Sequence, residues 1–468
     1  MTVIMKRSQP SRICTWPVMI LSLLLMVRCT DDENMVYKRI RDYTAGIKVI
    51  NTHEHQHRSE EYGDYNFRFY HLLAASYLAA DVCSAGADAF DWDIIDSLSL
   101  DDLWDSYGKA LDHTRNTSYY GHFVKGFRAL YDFDDMYFTK ENIRELSAKI
   151  EENYSDYGKW FEEAFNKAGF EIMFIDQYWK PFNTEIDKKY YALAFNINAL
   201  VAASGHKPDK GTGQQGSFYE EAAAEGFEIN TLDDYLKFCD HLFQKNLEAG
   251  AVCLKNSQAY SRTLFYDDVS YEEAKILFDK LSSGLTGTEA KRIEDFMFHW
   301  IIRKAVGHDL PVQIHTGYLA GNGNVLDNGY PVKLNNLFMK YPEAKFSLFH
   351  GGFPWTGEYA ALGKMFPNVY LDLVWLPQIS REEAVKALDV ILDCVPYNKL
   401  FWGGDCGLIE ESTGSLIFAM DVVSEVLAKR VKRGLLTEEL ACEIANGIFR
   451  KNAIEVFKLE DKTGRKFL

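Results

Sequence analysis

Residues 311–317 read Pro-Val-Gln-Ile-His-Thr-Gly, 345–352 Lys-Phe-Ser-Leu-Phe-His-Gly-Gly, 368–374 Asn-Val-Tyr-Leu-Asp-Leu-Val, and 400–405 Leu-Phe-Trp-Gly-Gly-Asp. Each is a short, mostly apolar run of the length and composition of a buried strand. The strand runs proper begin at 311, 345, 369 (Val369, after Asn368) and 400, steps of 34, 24 and 31 residues, which are the lengths of one strand plus one returning helix. Helix-like stretches fill or precede the gaps: Glu289–Val306, Leu334–Tyr341, Arg381–Val395 and Ser415–Lys432. Upstream, Lys48–His55, Phe170–Tyr178, Tyr191–Val201 and Ala251–Lys255 have the same character and bring the number of such runs to eight. Strand-then-helix alternation predicts a parallel sheet with helical crossovers. Eight units, each ending in polar residues, predict an α/β fold closed as a distorted (β/α)8 TIM barrel with its chemistry at the C-terminal rim.

One interval breaks the rhythm. Residues 58–167 separate the first strand from the second, far more than a loop requires. They read as helices over Asp101–Asp112, Tyr119–Tyr131, Lys140–Asn153 and Gly158–Ala168, a helical insertion expected to lie over the barrel mouth. Residues 202–249 form a smaller helical insertion after the third strand, with a Gly-Gln-rich tip near Gly211–Gly216. The barrel as a whole is expected over 45–460, and the tail Thr437–Leu459 as helix.

Ile50-Asn51-Thr52-His53-Glu54-His55 ends the first run. Residues two apart in a strand face one side, so both imidazoles point into the barrel. Paired imidazoles suit a borderline-soft divalent cation such as zinc. His315, His350 and Asp405 end the fifth, sixth and eighth runs in equivalent places, so four strands bring four histidines and one aspartate to a single rim. Taken singly, His315 or His350 is equally a core imidazole and Asp405 a helix cap; together they point to a metal. Asp176-Gln177-Tyr178-Trp179 ends the second run facing the pocket, Trp355 and Trp375 follow strand ends as candidate pocket walls, and His57 lies beyond the first strand as a supporting or exposed residue.

At this point the chain resembles a family. HxH on strand one, His on strands five and six, and Asp on strand eight resemble the amidohydrolase superfamily. His315-Thr316-Gly317-Tyr318, His350-Gly351-Gly352-Phe353-Pro354, Asn368–Leu373, Gly403-Gly404-Asp405 and Asn452-Ala453 are similar to its amidohydrolase-related branch, especially to the amidohydrolase-like domains fused to glutamine synthetase. The resemblance implies that His53, His55, His315 and Asp405 bind a divalent metal, zinc before others. It implies that Asp405 also takes the proton of the attacking water, and that His350 polarises the substrate or acts as a base. Lys255 ends the fourth run, where binuclear members carry a carbamylated lysine. One ion is the favoured count, with two if Lys255 is carbamylated; otherwise Lys255 binds a substrate carboxylate, with Arg262 of Tyr260-Ser261-Arg262 as an anion clamp and Trp355 against the substrate. The expected function is hydrolysis of an amide, lactone or related acyl bond in a small molecule, with a carboxylate-bearing substrate in view. The alternatives are a decarboxylase or uronate-type isomerase on the same scaffold, and a non-catalytic ligand-binding lipoprotein.

Composition narrows the setting. The 468 residues are 47% apolar and 25% charged, a folded globular balance, with a formal net charge of −17. Such acidity disfavours phosphate backbones and anionic membranes, so nucleic acid is excluded as a partner. Lys6, Arg7 and Arg12 followed by the apolar Val18–Val27 read as a signal peptide over 1–28, too short to span a bilayer. Cys29-Thr30-Asp31-Asp32-Glu33 resembles a lipoprotein junction, although Arg28 stands where a small residue is usual. The expectation is export to the periplasm or outer surface, with membrane contact only through a lipid anchor and homo-oligomers allowed. Of eight cysteines, Cys14 and Cys29 fall in this N-terminal segment, and the other six form no CxxC, which excludes a zinc ribbon and a disulfide framework.

Overall fold

The computed structural model describes residues 35–57, 67–202 and 218–467. The expected leader (1–28), Cys29 and the tip near Gly211–Gly216 lie outside the described residues. Eight strands form the sheet: β1 Val49–Glu54, β2 Phe170–Ile175, β3 Tyr191–Asn196, β4 Cys253–Asn256, β5 Val312–Ile314, β6 Phe346–Leu348, β7 Val369–Asp372 and β8 Leu400–Phe401. They pair in sequence order, every pair parallel. Backbone bonds close the ring beyond β8: Thr52 N to Trp402 O (3.2 Å), Asp405 N to His53 O (2.8 Å) and His55 N to Cys406 O (2.9 Å). The expected barrel is therefore the observed one.

Two clusters of side chains hold it. A large apolar cluster packs the outer faces of the strands against the helices. A smaller one, from Ile50, Ile172, Phe174, Ala192, Ala194, Cys253 and Phe401, is closed at the N-terminal end by Ala453, Phe457 and Leu459. The Phe457 ring lies 4.9 Å from Phe174 and 5.3 Å from Phe401, so the closing segment plugs the barrel floor. Above that floor the register aligns Asn196, Lys255, Gln313 and Ser347 across β3 to β6, all buried, and the interior turns polar towards the C-terminal rim.

The strands are shorter than the runs suggest, and the cause is local. His350, Trp375 and Asp405 take left-handed backbone angles (φ 63°, 61° and 61°), which ends ladder pairing just before the polar residues. β3 stops at Asn196 rather than Val201 because the Asn196 side chain accepts from Asn198 N–H (3.0 Å) and starts the short helix Asn198–Val201.

Between β1 and β2 the described residues hold seven helices: Phe69–Ala75, Leu78–Ser84, Trp92–Ser97, Leu100–His113, Ser118–Tyr131, Asn142–Tyr154 and Tyr157–Ala168. The first three are absent from the sequence reading, because six or seven residues are too few to show a 3.6-residue period. Ser118–Tyr131 crosses the long helix Ile409–Lys432 that follows β8. Buried Glu410 ties them together, accepting from Tyr131 OH (2.6 Å), Tyr154 OH (3.0 Å) and Trp160 Nε1 (2.9 Å). Between β3 and β4 lie Phe218–Ala224 and Leu232–Ala249, the latter started by a Thr231/Asp234 capping box. Among the described residues no helix is long and apolar enough to cross a membrane, and the six described cysteines are unpaired.

Candidate metal centre

At the C-terminal rim, His53 Nε2 and His55 Nε2 lie 3.3 Å and 3.2 Å from Asp405 Oδ1. His53, His55 and Asp405 each offer one ligand atom, all within 4.8 Å of one another. β1 supplies His53 directly and His55 one residue past its end. The β8 extension supplies Asp405 across the seam, where Gly404 N–H binds Asn51 Oδ1 (2.9 Å) and Cys406 N–H binds Glu54 Oε2 (2.7 Å). The residue between the two histidines is thus a clamp on the aspartate's loop.

Proton accounting shows what this cluster suits. His55 Nδ1 is 2.9 Å from the Asp176 carbonyl and must donate there, so its Nε2 presents a lone pair to a carboxylate. Three acceptors facing one another repel unless a cation lies among them. In a tetrahedral zinc site with bonds near 2.05 Å, adjacent ligand atoms sit about 3.3 Å apart, which matches both measured separations. Burial and the Lys255 ammonium hold His53 well below its usual pKa, keeping its ring neutral. Burial opposes ionisation of Asp405, but the His55 hydrogen bond and surrounding imidazoles prevail and hold its carboxyl well below the usual range. Burial also lowers His55, yet the Asp405 hydrogen bond and charge raise it overall, a proton standing where a cation would. Two imidazoles and a carboxylate in these states fit a divalent ion.

His315 and His350 sit together beside this group. His315 Nε2 is 2.8 Å from the Tyr318 carbonyl, and His350 Nδ1 is 3.1 Å from the Val374 carbonyl. Each carbonyl claims its ring's proton, leaving His315 Nδ1 and His350 Nε2 as lone pairs 3.0 Å apart. Burial pushes His315 well below its usual pKa and His350 down to about 4, so neither ring carries a second proton at neutral pH. Lys255 Nζ is 3.3 Å from His53 Nε2 and 4.0 Å from Asp176 Oδ2, and lies over the Phe349 ring.

These groups open into a cavity of about 400 Å³ lined by His55, His57, Asp176, Lys255, His315 and Asp405, with Ser76, Tyr77, Tyr178, Ser257, Tyr260 and Glu411 around them. His57, expected beyond the first strand as a supporting or exposed residue, is on the cavity wall against Trp179. Two expected substrate contacts are not brought there. The Arg262 guanidinium is spent on Glu294 (2.9 Å), Asp295 and the Phe265 carbonyl (2.9 Å), and stacks on Tyr266, so no face is left for a ligand. Its partners lie on the helix Gly287–Gly307, some thirty residues away, beyond the reach of a local reading. Trp355 packs on Tyr330 (5.0 Å) away from the cavity, whereas buried Trp375 meets His350 (5.1 Å) and Tyr77 (4.5 Å). Tyr77 and Glu411 were not singled out by the sequence. The tyrosine OH lies 2.5 Å from the Asp405 carbonyl and 3.1 Å from Oδ2, and its N–H donates to Glu411 Oε1 (2.9 Å).

Residues 287–459 match the amidohydrolase family model. Protein fluG of Emericella nidulans is 30% identical over 184 residues, 36% of this chain. The chain spans about a fifth of that relative's length, 21%. Among solved structures, glucuronate isomerase from Caulobacter crescentus superposes with TM-score 0.75 at 16% identity, covering 92% of this chain and 95% of that one. Uronate isomerase from Thermotoga maritima gives 0.72 at 15%, covering 90% and 97%. At these identities the likeness is one of fold.

Proposed function

We propose that the chain, whose residues 287–459 match the amidohydrolase family model, is a metal-dependent hydrolase of an amide, lactone or related acyl bond in a small molecule. The observation that carries this is the convergence of His53 Nε2 and His55 Nε2, 3.3 Å and 3.2 Å from Asp405 Oδ1, beside a cavity that His55 and Asp405 line. His53, His55 and Asp405 would hold one divalent ion, with His315 as the fourth ligand through the Nδ1 that Tyr318 leaves free. That ion, zinc by preference of the donor set, supplies Lewis acidity that polarises an acyl oxygen and lowers the pKa of water beside it. Asp405 receives the proton of the attacking water on its carboxylate and returns it to the leaving group. His350, whose Nδ1–H is committed to Val374, presents a lone pair and serves as a base rather than as an oxyanion donor. The cavity walls position a small substrate, consistent with about 400 Å³ of space.

Elemental analysis beside His53→Asn and Asp405→Asn, with a screen of amides and lactones, tests the reading. His53→Asn is expected to lose the metal. Asp405→Asn is expected to keep a substantial share of it and to lose turnover by about 10²–10⁴-fold, the usual size of a general-base contribution. Wild-type metal and turnover in both variants would sink the proposal. A second reading, aldose–ketose isomerisation, has one observation in its favour: the fold likeness to two uronate isomerases covers at least 90% of the chain. Hydrolysis in H₂¹⁸O labels the product, isomerisation leaves it unlabelled, and a decarboxylase releases CO₂.

A further inference from the structure

We propose that the free carboxylate oxygen of Glu411 is a subsite for an ammonium group, and that the substrate is an acyl compound carrying an amine. The second clause rests on the hydrolase reading above; the subsite rests on geometry alone. Two consecutive buried carboxylates lie in the first turn of the helix Ile409–Lys432, and their bonds separate their tasks. Glu410 has donors on both oxygens: Tyr131 OH (2.6 Å) and Trp160 Nε1 (2.9 Å) on Oε1, Tyr154 OH (3.0 Å) on Oε2. Those partners all come from the insertion, so Glu410 is a structural group. Glu411 is 1% exposed and lines the cavity. Both of its bonds fall on Oε1, to Tyr77 N–H at 2.9 Å and to His122 Nε2 at 3.2 Å. His122 is in turn held at its Nδ1 by Ser118 O (3.2 Å). Among the described residues no donor reaches Glu411 Oε2.

Tyr77 sets where that oxygen stands. Its N–H is on Glu411 and its OH on Asp405 Oδ2 (3.1 Å), so the two carboxylates lie at the two ends of one tyrosine. Trp375 (4.5 Å) and Tyr119 (5.6 Å) pack on its ring and hold it there. A small molecule whose reacting end meets Asp405 therefore has Glu411 within reach of its other end. A buried carboxylate oxygen without a donor is costly, and the ligand is the remaining source of one. An alkyl group would leave the oxygen unpaired. A carboxylate or phosphate would be repelled by Glu411 and by Asp176 and Asp405, which line the same cavity. Lys255, the one lysine or arginine among the described wall residues, is engaged elsewhere, 3.3 Å from His53 Nε2 and 4.0 Å from Asp176 Oδ2. Between a hydroxyl and an ammonium the rings decide. Tyr178 and Tyr260 also line the cavity, and aromatic faces attract a cation. An ammonium brings the hydrogen bond and the opposite charge together.

The test titrates glycinamide, β-alaninamide and 4-aminobutanamide, each beside the isosteres in which methyl or hydroxyl replaces the ammonium. Calorimetry is run on the zinc-loaded protein and on Glu411→Gln and Glu410→Gln, at a pH where the amines are protonated. At least one amine is expected to bind about 10-fold or more tightly than both of its isosteres, the size of a hydrogen bond to a charged group. Glu411→Gln keeps the shape of the side chain and an acceptor for Tyr77. It is expected to bring that amine and its methyl isostere within about 3-fold of each other, with zinc content unchanged. Glu410→Gln, whose charge faces the insertion, is expected to keep the preference. Equal affinities across the series in the wild-type protein overturn the subsite without reference to any variant, as does a hydroxyl compound that binds tightest. A preference that survives Glu411→Gln would put the amine on the metal or on another carboxylate. A preference lost equally in Glu410→Gln would trace to the helix rather than to Oε2. Either result overturns the assignment. Failure to take up zinc or to cleave an amide counts against the hydrolase reading alone, because the same series on metal-free protein judges the subsite separately.

Discussion

Asp405 combines a left-handed backbone, φ 61°, with a ligand position, and a non-glycine residue keeps such a conformation only where its surroundings fix it. His53 O holds its N–H at 2.8 Å, while Tyr77 OH reaches both its carbonyl (2.5 Å) and Oδ2 (3.1 Å). Burial holds the Tyr77 phenol protonated, its pKa well above the usual value, so it stays a donor. Tyr77→Phe should therefore retain the metal but loosen its carboxylate ligand. The expected results are a changed visible spectrum in the cobalt-substituted protein at equal stoichiometry and a fall in kcat of about 10–100-fold with little change in KM, since a donor of this kind contributes a few kcal/mol at most. An unaltered cobalt spectrum together with wild-type kcat would show that Tyr77 merely packs. The five rim residues were legible because strand period and position fix where a strand-end side chain points. Tyr77 was not, because it arrives from an insertion whose short helices carry no periodic signal. Arg262 was misread for the converse reason: its motif is local, but Glu294 and Asp295, which neutralise it, are not.

At the scale of elements, two contacts govern the rim. The insertion docks where Ser118–Tyr131 crosses Ile409–Lys432 at backbone distance: a Cβ on Gly126 would lie 2.1 Å from Glu410 O, and one on Gly414 2.0 Å from His122 O. Gly126→Ala or Gly414→Ala must push the helices apart and should cost about 1–3 kcal/mol in chemical denaturation. Gly158, with open space at its Cβ in an outer helix, should tolerate alanine or gain a few tenths of a kcal/mol. Equal stability for Gly126→Ala and Gly158→Ala would refute the tight crossing. The second contact is the β8–β1 seam, clamped by Glu54, whose carboxyl burial raises to about 8 against the pull of its bonds from Cys406, Ser412 and Asn51. Asp372, bridging β7 to Thr52, is raised to about 7 by burial. Both groups hold protons in the folded chain that the unfolded chain releases near pH 4, so stability falls as pH rises towards 8. The histidines with lowered pKa act the other way, but their effect is complete near pH 6.5. Denaturation of metal-free protein from pH 6.5 to 8 should show a decline that Glu54→Gln makes shallower by up to about 1.4 kcal/mol per pH unit, the weight of one proton. An identical slope in the variant would mean that Glu54 is ionised throughout.

The whole molecule was legible where its repeat is regular: β5 to β8 follow from spacing, as do the helices Asn335–Lys340, Arg381–Cys394 and Ile409–Lys432 and the direction of the rim, whereas the helix Thr356–Met365 between β6 and β7 went unread. The lid was legible only as an interval too long for a loop, since its helices share a core with the barrel rather than forming one of their own. The N-terminus poses the same question, namely where the body of the protein begins. A helix over 35–45 precedes β1. Its Val36 and Ile40 are buried in the main core, and Arg41 pairs with Asp421 (2.7 Å) and Arg39 with Glu438 (2.7 Å) on the last long helices. The helix over 35–45 is thus part of the folded body, and we propose that the leader expected over 1–28, with Cys29 after it, is not needed for that body. Two truncations separate the parts. A chain starting at residue 30 should match the thermal midpoint and metal content of the purified mature protein. A chain starting at residue 46 uncovers part of the main core and should lose several kcal/mol, because burying side chains such as Val36 and Ile40 is worth about 1.5–3 kcal/mol each. In a host that processes lipoproteins, Cys29→Ala should abolish radiolabelled palmitate incorporation and leave fold and metal intact. Incorporation that persists in Cys29→Ala would disprove the anchor, and a chain from residue 46 as stable as that from residue 30 would move the start of the folded body to β1.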